Sequence, residues 1–189
     1  MKKKSRGVLR NAGPAQTGEV LQLALQTAKA RGIAYLVLAS TRGATAQKAL
    51  KLIQNQELKL IVVTHNTGFS EPGEQPFDAT IRRQIEAAGG KVLTGTMALR
   101  NVSAAIRAKF QYSETELINA TLRMFGQGVK VVVEIVAMAC DAGLIPPEDV
   151  VAVAGTSRGA DTAAIVTANS SNRFFEIKIK EIIVKPSEF

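Results

Sequence analysis

The chain has 189 residues, 46% hydrophobic and 21% charged, with one cysteine and a net charge of +8, which suits one domain with a sizeable core and excludes a disordered, collagen-like or disulfide-stapled chain. A lone cysteine makes no internal bridge, so a reducing, cytoplasmic setting is expected. The strongest apolar run, Val129 to Cys140, is broken by Lys130 and Glu134 and is shorter than the roughly 20 residues of a spanning helix, so no membrane partner is expected.

Residues 1–16 read as a basic flexible arm ahead of a single domain, 17–189. Lys2, Lys3, Lys4 and Arg6 imitate the start of an export signal, but no apolar core follows them. With no Trp and only two Tyr in the chain, the stacking aromatics of a nucleic-acid interface are missing, and the arm reads as solvated. Leu21, Ala24, Leu25 and Ala28 recur at helical spacing, which predicts a helix over 17–30 with Thr17 as its N-cap and Gly32 as its stop. Ile33–Ala39 is a continuous apolar run, the mark of a parallel strand covered on both faces. A second helix carries Ala46, Ala49, Leu50 and Ile53, and a second buried strand spans Leu60–Thr64. After a polar loop, His65–Pro76, a helix is predicted over 78–88 and a short strand over 91–94.

The middle is helical. Helices are predicted over 98–110, from a capping box at Ser113 to Phe125, and over 129–142. On the last of these, Lys130, Glu134 and Asp141 read as a solvated stripe and Cys140 as inert core packing. A fourth strand, Val150–Ala154, and a fifth, Ala164–Ala168, follow; Phe175, Ile177 and Ile179 then alternate with polar or charged residues as in a half-exposed edge strand. That edge, Phe174 to Val184, suggests pairing between copies and a homo-oligomer. Strands separated by helical crossovers argue for a three-layer α/β/α sandwich around a mainly parallel sheet.

In such sheets ligands gather beyond the carboxyl ends of the strands. After the first strand come Ser40, Thr41, Arg42, Gly43, Ala44 and Thr45; after the fourth come Gly155, Thr156, Ser157, Arg158 and Gly159. Each loop combines hydroxyls, glycine and one arginine. Each could be a plain turn, but two at equivalent strand ends suggest a phosphate cradle. Between them in sequence lie the only histidine, His65, with Thr67, and a further hydroxyl loop of Thr94, Gly95 and Thr96. Phe69, Phe77 and Met97 are candidates to contact a planar ring. No metal site is expected from one His and one Cys.

The segments around Ser40–Ala46, and VVAVAGTSRGADTAAIV later, resemble the C-terminal α/β domain of pyruvate kinase. The stretches Val63–Gly73, Leu93–Thr96 and Phe125–Lys130 are similar to those of stand-alone prokaryotic proteins with that domain. The resemblance implies a sheet of order 3-2-1-4-5 with an antiparallel last strand, and phosphate-holding positions at Ser40, Thr41, Arg42, Gly43, Thr45, Gly155, Thr156, Arg158 and Gly159. The kinase's own chemistry resides in a separate barrel, so pyruvate kinase activity is not expected. Two functions follow: a binding or sensing domain for a phosphorylated small molecule, with flavin mononucleotide (FMN) a concrete candidate, or an enzyme on such a substrate with His65 moving a proton.

Overall fold

A computed structural model describes residues 8–53 and 57–189; the lysine cluster at the start lies outside them. One seven-stranded sheet runs through the domain in the order β1-β7-β6-β5-β2-β3-β4. Its centre is parallel: β2 (Tyr35–Ala39) lies between β3 (Lys59–Val63) and β5 (Asp149–Ala154), and β4 (Lys91–Leu93) pairs beyond β3. β6 (Thr162–Thr167) returns antiparallel beside β5, and β7 (Lys178–Glu188) is antiparallel to β6. The order expected for the first five strands is therefore the order observed, with the turn-back at the fifth.

Side chains on the central strands alternate between two apolar layers, as strand geometry requires. Leu36, Leu38, Leu60, Val62, Val151 and Val153 face α1 (Thr17–Arg31), α2 (Ala44–Ile53) and α3 (Ala79–Ala87). Val37, Ile61, Val63, Val150, Ala152 and Ala154 face α6 (Gln127–Asp141). Leu36 and Leu38 are fully buried, each contributing on the order of 2 kcal/mol by leaving water. Helix α3 begins where the Asp78 carboxylate accepts the amides of Thr80 and Ile81 at 2.7 and 3.0 Å, a side-chain cap for otherwise unpaired donors. Among the described residues no helix is long and apolar enough to cross a membrane.

Several expectations are corrected. Val8–Asn11, assigned to the arm, forms β1 and pairs parallel with β7 through Val8–Lys185, Leu9–Pro186 and Asn11–Glu188. Residues 171–176 form a 3-10 turn, so the alternation that suggested an edge strand holds only from Lys178, and the end of β7 is covered by β1. Thr17 is inside the first turn of α1, after Gln16, and caps nothing there. Lys130 and Glu134 are buried, 3% and 1% exposed. The reason is visible in α6: Val129, Val132, Val133, Ile135 and Val136 are buried around its circumference, so of the expected stripe only Asp141, at the helix end, is exposed.

Candidate functional site

Because β2 and β5 are parallel neighbours in register, Leu38 against Val153, Ser40 stands level with Gly155 and the two hydroxyl loops leave the sheet side by side. The Ser40 amide donates to the Val63 carbonyl at 3.0 Å and the Thr64 amide to that of Leu93 at 2.9 Å, so pairing continues into the loops along the sheet's upper edge. Ser40 and Thr45 are buried, while Thr41 and Arg42 are exposed. Gly43 has φ +101°, and a Cβ there would strike the Ile81 side chain, so only glycine lets α3 pack beneath this turn.

The second loop is organised by a residue the sequence reading passed over. Asp161 is fully buried. Its carboxylate accepts the amide of Thr156 at 3.0 Å, the amide of Gly13 at 3.2 Å and the Thr162 hydroxyl at 2.8 Å. Thr17 adds a second tie, its hydroxyl accepting the Ala160 amide at 2.9 Å. Gly159, at φ +72°, lies against Pro14 and Thr17 with no room for a Cβ. The loop is thus clamped from the N-terminal side, with Ser157 and Arg158 projecting to solvent. The Thr156 hydroxyl is buried without a hydrogen-bond partner. Among the described residues neither Arg42 nor Arg158 has an ion-pair partner.

His65 belongs to a different cluster, toward α6. Its ring stacks on Phe69 at 3.9 Å between centroids, and the Arg100 guanidinium covers the Phe69 ring at 4.6 Å. His65 Nδ1 is buried with no partner. Burial holds its pKa below the usual 6.5, aided by the charges of Arg100 and Lys130 and opposed by Glu134. Lys130 donates to Glu134, whose second oxygen accepts the Leu99 amide at 2.9 Å; Asn119 donates to the Leu99 carbonyl at 2.8 Å. That buried ion pair ties α6 to the segment before α4 (Asn101–Phe110) and to α5 (Glu114–Arg123).

The remaining candidates divide by side. Thr94 accepts from Arg82 at 2.7 Å and shares a 2.8 Å hydrogen bond with Thr64, on the α3 side of the sheet. Thr67 and Thr96 are exposed and Gly95 is half-buried. Phe77 is a core residue, 5% exposed beneath Arg82, which corrects its reading as a ring contact. Met97 packs partly into the α6 layer. A cleft of about 590 Å³, lined by Arg31, Glu148, Asp149 and Lys180 among others, lies at the opposite end of the sheet from the two hydroxyl loops. Among the described residues no three His, Cys, Asp or Glu side chains gather as a ligand set.

The description "Pyruvate kinase, alpha/beta domain" matches residues 18–166, which take in every central strand and both hydroxyl loops. The chain belongs to the pyruvate kinase alpha/beta domain family. It is similar in structure to a pyruvate kinase from Cryptosporidium parvum at 17% identity, over 81% of this chain and 23% of that one, with a TM-score of 0.43. This pyruvate kinase alpha/beta domain chain therefore spans about a quarter of the length of that kinase. The matched segment begins immediately after Thr17, so Gly13, Pro14 and Thr17, which clamp the second loop, fall outside it.

Proposed function

We propose that this domain binds or senses a phosphorylated small molecule held between the loops after β2 and β5, without pyruvate kinase turnover. The observation that carries the reading is the pair of exposed arginines, Arg42 and Arg158, on loops that leave adjacent parallel strands, with no ion-pair partner among the described residues. A phosphate dianion placed there would meet two guanidiniums, the exposed hydroxyls of Thr41 and Ser157, and loop amides. FMN and sugar or nucleotide phosphates share that chemistry. For a flavin ring, Met97 and Phe69 remain as contacts, Phe69 being engaged by His65 on one side and Arg100 on another.

Native mass spectrometry and a visible absorption scan of the purified chain, followed by titration with FMN and a sugar bisphosphate, test this reading. The double variant Arg42→Ala, Arg158→Ala is expected to bind about 100-fold more weakly, the loss of two charge-assisted hydrogen-bonding groups. Equal binding by the double variant, or no thermal shift with either compound, overturns it.

One observation favours an enzymatic version. His65 is held neutral near pH 7 by burial and Arg100, with Nδ1 unpartnered, the condition of a group that takes up a proton from a bound substrate. In that version His65→Ala abolishes turnover while the phosphorylated compound still binds; binding without turnover in the unaltered chain leaves the sensing reading.

A further inference from the structure

Among the described residues, seven of the nine most exposed large hydrophobic side chains fall between Val102 and Phe125. They are concentrated on the excursion made by α4 and α5. Helix α4 has no buried residue, and residues 105–110 are exposed on all sides. A free helix of this length is marginal in water, since helices under about 12 residues draw their stability from packing. Yet its apolar residues are ordered: Val102, Ile106 and Phe110, 67%, 42% and 67% exposed, recur every fourth position and make one stripe. At their fractional exposures the seven side chains offer on the order of 800 Å², of which the α4 stripe itself supplies about 300 Å², the scale of a weak, reversible contact.

We propose that this stripe is the contact between two copies of the chain, paired antiparallel through α4 with Ile106 at the two-fold axis. The spacing is self-complementary. With Ile106 opposite itself, Phe110 stands at the level of Val102 of the second copy, so a large residue meets a smaller one on both sides. Arg107 then stands at the level of Ala105 and Lys109 at the level of Ser103. A parallel pairing brings Arg107 and Lys109 of both copies to the same levels, four cations within one turn, and aligns the helix dipoles. Arg107 is drawn toward its own Glu116, 3.9 Å away, and Ala104, Ala105 and Ala108 keep the helix narrow enough for close approach. As a two-fold contact it uses the same stripe on both copies, leaving no second stripe to recruit further copies.

Light scattering and sedimentation of the full chain test this directly. A dimer is expected at about 100 µM, and Ile106→Glu or Phe110→Glu is expected to weaken it at least about 100-fold, since each copy would lose an apolar anchor and bring a charge to the axis or against Val102 of the other copy. The thermal midpoint of each variant should match that of the parent diluted until monomeric, because both positions are exposed in one copy. In a Cys140→Ser background, a short bis-maleimide should join Val102→Cys subunits to Phe110→Cys subunits in a mixture and leave each variant alone unlinked. A chain that stays monomeric at that concentration overturns the proposal. So does a dimer indifferent to Ile106→Glu, cross-linking of either variant to itself, or a monomer that instead binds anionic vesicles through this stripe.

Discussion

The amide of Ala160 donates to the hydroxyl of Thr17 across 143 residues of sequence, at 2.9 Å and out of contact with solvent. This contact closes the loop after β5 onto the start of α1. Thr17→Val keeps the side chain's shape and removes the acceptor, so the buried amide is left unpaired. The expected loss is about 1–3 kcal/mol in urea unfolding, with Thr17→Ser near the parent. A Thr17→Val variant as stable as the parent would show that the loop finds another partner.

Gly159→Ala tests the same closure sterically. The backbone there is left-handed, and the added methyl group meets both Pro14 and the Thr17 hydroxyl. Strain and overlap together should cost on the order of 2 kcal/mol or more. Thermal unfolding reads the effect; an unchanged midpoint would mean that Pro14 moves aside without penalty.

The Lys130–Glu134 pair predicts an asymmetry between single and double substitutions. Lys130→Met strands a buried carboxylate and Glu134→Leu a buried ammonium, each expected to destabilise by about 3–5 kcal/mol. The double variant should recover most of that, short of the parent because the Leu99 amide also loses its acceptor. Chemical denaturation of the four proteins decides it, and additive single losses would contradict the coupling.

His65 makes stability depend on mild acid. Its folded pKa lies below the ordinary 6.5, so as pH falls through that value the unfolded chain takes up a proton that the folded chain resists. Stability is therefore full above the unfolded value and declines as the pH drops below it. His65→Gln should flatten the part of the profile between pH 7 and the folded value. A variant with the parent's full slope would place its origin at other groups.

Much of this molecule could be read before folding it. The strands β2, β3 and β5 are continuous runs of apolar residues because both their faces are covered, and that signal survives in one dimension. The two hydroxyl loops were legible for a related reason: each interrupts a buried apolar run with hydroxyls, glycine and an arginine, although the structural duties of Gly43 and Gly159 show only in three dimensions. Lys130 and Glu134 were misread because charges four apart on a helix look solvated when considered alone, whereas the valines on every side of them point to a buried helix. β1 left no mark, since four residues carry no period and their partner lies at the far end of the chain. Asp161 was visible as a letter, but its role as acceptor for Gly13 depends on a contact 148 residues distant.

The pairing of β1 with β7 has a consequence for how the molecule is made. The first described strand leaves the ribosome with no partner, and its neighbour in the sheet emerges after every other described element. Gly13 and Thr17 likewise wait for Asp161 and Ala160, contacts whose loop-closure cost is among the largest the chain must meet. The loop after β5 is therefore expected to be fixed in place only once residue 161 has been made, and the β1–β7 edge later still. A nascent chain halted before Ala160 would carry the Ser40–Thr45 loop beside a β5 loop that lacks the Asp161 carboxylate and the Ala160 amide that clamp it.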